Sequence, residues 1–318
     1  MKVALIQMSP CLLDQTATRN KMLERAEVAI ANGAELIVFP EAILPGYPFW
    51  LDPGGGARFN NAIQKELFAH YARAAVQIER GDLRPFEELS ARHGVAFYVG
   101  IIERPLDRGG HSLYCSLVYI SDGTIRNVHR KLQPTYEERL VWSPGDGHGL
   151  RTFRRGDFTL GGLNCWENWM PLPRAALYAQ GEDVHVAVWP GNKRNTEILT
   201  RFLAREGRSY VLSCCGVFDK SHFPEDLPGY DEIVANSPDQ IADGGSCIAH
   251  PDGSWLLAPD VSGETILYAE LDHAYVQRER QNFDPAGHYS RPDVTELQVD
   301  RRRRSTVKFQ DESADEAS

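Results

Sequence analysis

Three reactive side chains follow predicted strands of this 318-residue chain. Glu41 comes directly after ELIVFP, Lys131 after TIRNVHR, and Cys165 after the glycine-containing DFTLGGLN. A carboxylate in apolar surroundings has a raised pKa and can carry protons, and a nearby cation favours a thiolate. A cysteine at a sharp turn after a strand is open to attack a reactant, and the turn's backbone N–H groups can stabilise a developing anion. The three residues together suggest covalent catalysis by a thiol.

Each segment also has a simpler interpretation. Glu41 could be a turn residue that faces water, the segment around Lys131 a solvated charged loop, and Cys165 an ordinary buried cysteine of a binding protein. The residues after Glu41, AILPGYP, form a stiff apolar segment, which favours a carboxylate shielded from water. Alkylation by iodoacetamide near neutral pH separates a reactive Cys165 from a core residue.

The other cysteines do not suggest a disulfide or zinc framework. The sequence has six cysteines but no CxxC pair and no HExxH motif. The adjacent Cys214 and Cys215 are predicted to lie in one buried strand, where neighbouring side chains point to opposite faces.

Apolar strands alternate with amphipathic helices over most of the chain. Strands are predicted at 2–8, 35–40, 95–102, 157–164, 184–190 and 210–218, and helices at 18–32, 62–80, 85–93, 171–181, 197–209 and 273–281. Asp122-Gly123 and Asp252-Gly253 predict hairpins, the second of which we expect to continue into 264–272. Because no Gly/Ser/Pro-rich linker divides these elements, we expect one domain over 1–285 and an extended, partly disordered tail over 286–318.

The order and spacing of the three reactive residues resemble the nitrilase superfamily of carbon-nitrogen hydrolases. The matching motifs are FPEAILPGYP around Glu41, HRKLQPTYEER around Lys131 and NCWENWMPL around Cys165. The resemblance covers nearly the whole chain. It implies an α+β fold, a four-layer α-β-β-α sandwich with two central β-sheets, and a catalytic Glu-Lys-Cys triad. A second glutamate follows the lysine in this family; Glu138 takes that position, and spacing alone does not separate it from Glu137.

The sequence around Cys165 also suggests a branch of the superfamily. CWEN followed by MPL, and LVWSPGDG at 140–147, resemble the nitrilases, which tend to have tryptophan after the cysteine. The resemblance implies that Cys165 attacks a nitrile carbon to give a thioimidate, that ammonia leaves, and that water releases a carboxylic acid from a thioester. An amide is released when the tetrahedral intermediate expels the cysteine instead. The alternatives are an amidase or carbamoylase with the same triad, and a non-catalytic scaffold.

An uncharged nitrile would suit an apolar pocket beside the cysteine. The candidate pocket residues are Tyr47, Trp142, Trp166, Trp189 and Pro190. Core packing is an equally simple role for Trp142 and Trp169, whereas Tyr47 is a better candidate because it lies just past Glu41. The scheme requires no cofactor and no metal ion, because the cysteine is the covalent catalyst.

Composition limits the location and partners of the protein. The chain has 44 acidic and 34 basic residues and a net charge of -10, which argues against a nucleic-acid binder. The basic run Arg301–Arg304 precedes several acidic residues and predicts a solvated tail or an interaction arm. No apolar run approaches the ~18 residues that cross a bilayer, and MKVALIQMSP lacks a signal-peptide pattern, so we expect a cytoplasmic protein without membrane partners. The family resemblance implies self-association, as a dimer or a larger spiral, through outer helices.

Overall fold

The structure, a computed structural model, describes residues 1–305 and residue 307. Its strands, in chain order, are β1 (Lys2–Gln7), β2 (Leu36–Val38), β3 (Ala96–Glu103), β4 (Tyr114–Ser121), β5 (Thr124–Arg130), β6 (Phe153–Arg155), β7 (Phe158–Asn164), β8 (Val184–Trp189), β9 (Tyr210–Cys215), β10 (Val217–Asp219), β11 (Gln240–Asp243), β12 (Ser246–Ala249), β13 (Trp255–Asp260) and β14 (Thr265–Glu270). Its α-helices are α1 (Gln15–Ala31), α2 (Ala62–Ala74), α3 (Arg84–His93), α4 (Pro171–Tyr178), α5 (Lys193–Gly207), α6 (Tyr230–Asn236) and α7 (His273–Arg280).

Two six-stranded sheets form the centre of the molecule. The first has the order β14-β1-β2-β3-β4-β5, and the second has the order β13-β12-β9-β8-β7-β6. The central neighbours β1, β2 and β3 are parallel, as are β7, β8 and β9. Strands β10 and β11 form a separate antiparallel pair.

Successive side chains along the strands pack into different cores between the four layers. In β1, Ala4 and Ile6 face α1 and α3, whereas Val3 and Leu5 face the second sheet. On the far side of the second sheet, Trp189 of β8 packs against α5. Strands covered on both faces have continuous apolar sequences, which explains the runs seen in β1, β2 and β8. The predicted α-β-β-α sandwich is confirmed.

Local signals for turns and buried cysteines are also confirmed. Asp122 and Gly123 have φ values of 53° and 74° and join β4 to β5, as a tight hairpin turn requires. Cys214 lies in the core between the sheets, and Cys215 lies in the core under α5. The two thiols therefore point to opposite faces of β9.

The predicted continuation of the second hairpin is wrong. The hairpin of β12 and β13 forms, but β14 leaves it and pairs antiparallel with β1 in the first sheet, from Lys2 opposite Glu270 to Gln7 opposite Thr265. Local sequence predicts that a segment forms a strand, but it does not show which strand the segment pairs with. Here the partner is β1, which lies in the other sheet.

Three predicted boundaries also shift. The helix predicted over 62–80 ends at Ala74, because the backbone of Val76 instead bonds to Ile102 and Arg104 at the end of β3. The helix predicted to start at 197 begins at Lys193, whose N–H donates to Asp243 Oδ1 at 2.9 Å. The strand predicted over 210–218 is divided between β9 and β10 at Gly216. Helix α6 and the β10–β11 pair were not predicted.

The chain after α7 contains no helix or strand within the part that the structure describes. The arginine run is not wholly solvated, because Arg303 Nη1 lies 3.1 Å from Asp146 Oδ1 and its Nη2 donates to the Val128 carbonyl at 2.9 Å. The rest of the predicted tail, residue 306 and residues 308–318, lies outside the described residues. Among the described helices, none has the length and apolar character that spanning a bilayer requires. The cytoplasmic location stays a prediction.

Candidate active site

The three reactive residues converge from different strands. Glu41 follows β2 in the first sheet, Lys131 follows β5 in the same sheet, and Cys165 follows β7 in the second sheet. All three side chains are buried, with exposed fractions of 1%, 1% and 4% respectively. One oxygen from each of Glu41 and Glu138 and the sulfur of Cys165 lie within 4.8 Å of one another. The structure therefore brings the predicted triad and Glu138 into one cluster.

Lys131 is held between two carboxylates. Its Nζ lies 2.9 Å from Glu41 Oε1 and 2.7 Å from Glu138 Oε2. Glu138 also accepts hydrogen bonds from the Thr135 N–H at 2.6 Å and from the Tyr47 hydroxyl at 2.9 Å. Glu137 lines the same cavity as Glu138, and its Oε1 lies 3.5 Å from the Tyr47 hydroxyl. The structure thus places Glu138, rather than its neighbour, against the lysine.

Burial and neighbouring charges set the protonation of the pair. Burial raises the pKa of Glu41 to about 7, against the opposing effect of the Lys131 cation. Burial alone lowers the pKa of Lys131, but the carboxylates of Glu41 and Glu138 raise it well above its ordinary value. Lys131 therefore stays a cation at neutral pH, while Glu41 can both accept and release a proton.

Cys165 occupies a tight turn that follows its strand directly. Its φ of 46° lies in the left-handed region, which is uncommon for a residue with a side chain. Burial, together with the Glu41 carboxylate, raises the pKa of its thiol well above the ordinary value. The thiol is therefore mostly protonated at neutral pH and needs an adjacent base to become a nucleophile.

Buried residues beyond the predicted set join the cysteine turn to the lysine strand. Glu167 accepts hydrogen bonds from His129 Nε2 at 2.9 Å, from the Leu132 N–H at 2.8 Å and from the Asn164 N–H at 3.0 Å. Two of these donors belong to the end of β5 and its continuation, and the third ends β7. The CWEN motif contained this glutamate, but nothing in the sequence indicated that it bridges the two sheets.

A second thiol, Cys115, lies beside the triad and was also missed. Its sulfur is 3.5 Å from Glu41 Oε1, and both residues are buried. Because a carboxylate only accepts, the thiol is the donor. Cys115 is the second residue of β4, and its approach to Glu41 depends on the pairing of strands that local sequence does not specify.

Carboxylate and thiol groups such as those at this site can also bind a metal ion. Within residues 1–305 and 307, Glu41, Glu138 and Cys165 are the one set of such side chains close enough to share an ion. Two of these three already bind the Lys131 ammonium. The Lys131 ammonium thus already supplies a positive charge to these two carboxylates.

A cavity of about 490 Å³ reaches Cys165. Of the predicted pocket residues, Tyr47, Trp166 and Pro190 line it, and Trp166 is half exposed. Further wall residues that the sequence did not single out include Phe49, Tyr136, Asn192 and Arg194.

The other two predicted pocket residues lie outside the cavity wall. Trp142 is buried and its indole N–H donates to the Tyr71 hydroxyl at 3.2 Å. Trp189 is fully buried and its indole N–H donates to Ser213 Oγ at 3.3 Å. Both side chains pack in the core and do not line the cavity. Trp142 still lies beside the site, because its ring centroid is 5.5 Å from Lys131 Nζ and its edge-to-face partner is Tyr47.

Several known proteins resemble this chain over nearly its whole length. "Nitrilase 2" of an unknown prokaryotic organism is 38% identical over 98% of this chain and 96% of its own length. An "Aliphatic nitrilase" of Sinorhizobium fredii is 36% identical over 96% of this chain and 97% of its own length. Among solved structures, Nit3 of Saccharomyces cerevisiae, described as a member of branch 10 of the nitrilase superfamily, has a TM-score of 0.71. At 20% identity, with 91% of this chain and 96% of that chain covered, this match confirms the fold.

The family model described as carbon-nitrogen hydrolase matches residues 2–281. This match covers both sheets and every residue of the cluster around Cys165. The family predicted from the three sequence motifs is thereby confirmed, and the chain is a member of the carbon-nitrogen hydrolase family.

Proposed function

We propose that the protein is a nitrilase that converts an organic nitrile and two water molecules into a carboxylic acid and ammonia. The observation that carries this proposal is the buried contact of a carboxylate and an ammonium, Glu41 and Lys131, beside the Cys165 thiol at a cavity. Full-length relatives named nitrilases, 36% and 38% identical, support the reaction class.

The first half of the reaction forms a thioimidate. Glu41 takes the proton of the Cys165 thiol, and the sulfur attacks the nitrile carbon while one π bond of the nitrile moves onto nitrogen. The Lys131 ammonium and the Trp166 N–H stabilise the negative nitrogen, which then takes up the proton. Glu138 holds Lys131 in place through the 2.7 Å contact.

The second half releases both products. A water molecule deprotonated by Glu41 adds to the thioimidate carbon, the C–N bond of the resulting tetrahedral intermediate breaks, and ammonia leaves a thioester behind. A second water adds to the thioester carbon, and cleavage of the C–S bond releases the acid and regenerates Cys165. If the first tetrahedral intermediate loses sulfur instead of ammonia, the product is an amide.

The alternative substrates are amides or carbamoyl compounds, which the same triad can attack. A substrate panel separates the two cases: aliphatic, aromatic and arylacetonitriles with their matching amides, assayed for ammonia and acid. We expect release from nitriles that exceeds release from the matching amides, and none in Cys165→Ala. Turnover of amides alone would make the protein an amidase, and equal turnover in Cys165→Ala would remove the cysteine from the mechanism.

Self-association also belongs to this proposal. Leu172 of α4 and Ile198 and Phe202 of α5 expose 63%, 72% and 53% of their surface. The two helices are neighbours, since Arg174 of α4 bonds to Glu206 of α5 at 2.8 Å. An exposed apolar group on adjacent outer helices is suited to pairing with a second copy. We expect a dimer or larger assembly by sedimentation, and a smaller species for Ile198→Asp; a monomeric wild-type protein would contradict this part of the proposal.

A further inference from the structure

A chain of three buried polar side chains leads from the second sheet to the backbone of Cys165. Glu182 Oε1 lies 2.9 Å from His185 Nδ1, and His185 Nε2 lies 2.7 Å from Asn168 Oδ1. Asn168 Nδ2 donates to the Cys165 carbonyl at 2.8 Å. The three side chains, which we call the elbow relay, are at most 1% exposed. The mechanism described above uses none of them.

The direction of each hydrogen bond in the elbow relay follows from what each atom can donate. The Asn168 NH₂ group faces two carbonyl oxygens, that of Cys165 and that of Leu163 at 3.4 Å, so its own oxygen must face His185. His185 Nε2 therefore carries a hydrogen and donates it to Asn168. The other ring nitrogen, Nδ1, faces the Glu182 carboxyl group at 2.9 Å. Buried polar groups such as these require hydrogen-bond partners in the protein, because they are shielded from water.

Gly161, in the middle of β7, makes room for the elbow relay. Gly161 pairs with His185 in the register of β7 and β8. A Cβ atom at Gly161 would lie 2.1 Å from Glu182 Oε1, a distance that no side chain can occupy. The absence of a side chain at this position therefore allows the carboxyl group of Glu182 to lie beneath the histidine.

The elbow relay fixes the peptide that follows the nucleophile. A trans peptide is planar, so its C=O and the next residue's N–H point in opposite directions. Because Asn168 holds the Cys165 carbonyl on the side away from the cavity, the Trp166 N–H points back towards the Cys165 sulfur. Burial is the main cause of the raised pKa of that thiol. The hydrogen bond from the Trp166 N–H favours the thiolate and so acts to lower this pKa.

We infer that Glu182, His185 and Asn168 are positioning residues that orient the Cys165–Trp166 peptide so that its N–H stabilises the negative nitrogen or oxygen formed during turnover. The inference rests on the proposed nitrilase reaction, in which that N–H is an anion donor. Loss of one pre-organised donor typically reduces kcat by about 10²–10³-fold. Binding of the uncharged substrate should change little, because the N–H acts on charge that is absent before attack.

Asn168→Ala tests the inference directly. We expect kcat to fall by about 100-fold with KM little changed. The second readout is inhibition by the aldehyde that corresponds to the best nitrile of the panel, since the Cys165 thiol adds to an aldehyde to give a thiohemiacetal oxyanion. This inhibitor should lose affinity by a factor similar to the loss in kcat. Unchanged kcat, or a fall in kcat with undiminished aldehyde affinity, would overturn the inference.

A matched pair of double variants keeps the test decisive if Asn168→Ala does not fold. Glu182→Gln/His185→Gln retains an N–H that can donate to Asn168, whereas Glu182→Gln/His185→Leu lacks one, and neither leaves an unpaired charge. We expect the glutamine pair to keep substantially higher kcat and tighter aldehyde binding than the leucine pair. Equal values in the two would overturn the inference. Failure of the proposed function is a different result, because wild-type protein would then release no ammonia from nitriles.

Discussion

Lys131 holds one oxygen of Glu41 and leaves the other free. Glu41 Oε1 lies 2.9 Å from Lys131 Nζ, whereas Oε2 is buried and has no hydrogen-bond partner among the residues that the structure describes. An unpaired buried oxygen is costly for an ordinary structural carboxylate. It is suited to a group that must take a proton from the nearby Cys165 thiol.

The fall in activity at low pH should follow the protonation of the Glu41 carboxylate. Only the unprotonated carboxylate can accept the thiol proton, and burial raises its pKa to about 7. We therefore expect kcat/KM to be level above this pH and to fall about tenfold per unit below it. Steady-state rates between pH 5 and 9 measure this, and an acid limb near the ordinary glutamate value of 4.5 would contradict it.

Cys115 should affect the pH at which this acid limb falls. Its thiol donates to Glu41 Oε1 at 3.5 Å and so favours the carboxylate form. We expect Cys115→Ala to move the limb to higher pH, and Cys115→Ser, which retains a donor, to move it less or in the opposite direction. Cys214→Ala is the matched control, because that buried thiol donates to the Val38 carbonyl at 3.2 Å, away from the triad. Identical limbs in Cys115→Ala and wild type would exclude this role.

The adjacent glutamates should differ sharply in kcat. Both glutamates line the cavity, but Glu138 is buried and contacts Lys131 at 2.7 Å, whereas Glu137 is partly exposed. Glu138→Gln weakens the hold on the catalytic cation, and we expect kcat to fall by about 100-fold. Glu137→Gln should retain kcat within a small factor and act mainly on KM. Equal losses in the two variants would show that the structure distinguishes them wrongly.

The two tryptophans should separate binding from stability. Trp189 is fully buried under α5, so Trp189→Ala should reduce the free energy of unfolding by about 3–5 kcal/mol. Trp166 is half exposed in the cavity wall, and Trp166→Ala should mainly raise KM while leaving unfolding nearly unchanged. Urea unfolding and steady-state kinetics measure the two effects, and a reversed pattern would place Trp189 at the substrate.

Residues at the ends of strands could be predicted from sequence, because a strand pattern and the polar residue after it are neighbours in the chain. Glu41, Lys131 and Cys165 are of this kind, and all three reach one cluster. The family resemblance assigned Glu138, but spacing alone could not separate it from Glu137, because the difference depends on a short 3₁₀ turn that begins after Thr135 and buries only Glu138.

Contacts between distant strands could not be predicted either. The pairing of β14 with β1, and the approach of Cys115 to Glu41, join segments more than 70 residues apart. Trp189 could not be excluded from the pocket by sequence, for a different reason. It follows Ala187 by two residues in β8, so both side chains lie on the same face of the strand. Only the structure shows that α5 covers this face. The elbow relay likewise depends on the parallel pairing of β7 with β8.

Trapping the covalent intermediate tests the central claim most directly. Wild-type protein is mixed with a turned-over nitrile, quenched in acid within the steady state, digested, and analysed by mass spectrometry. We predict an added mass equal to the substrate-derived acyl or imidoyl group on the peptide that contains Cys165, lost when the substrate is exhausted. Cys165→Ala should show no such adduct and release no ammonia. An adduct confined to another residue such as Cys115, or ammonia release at the wild-type rate by Cys165→Ala, would contradict the account.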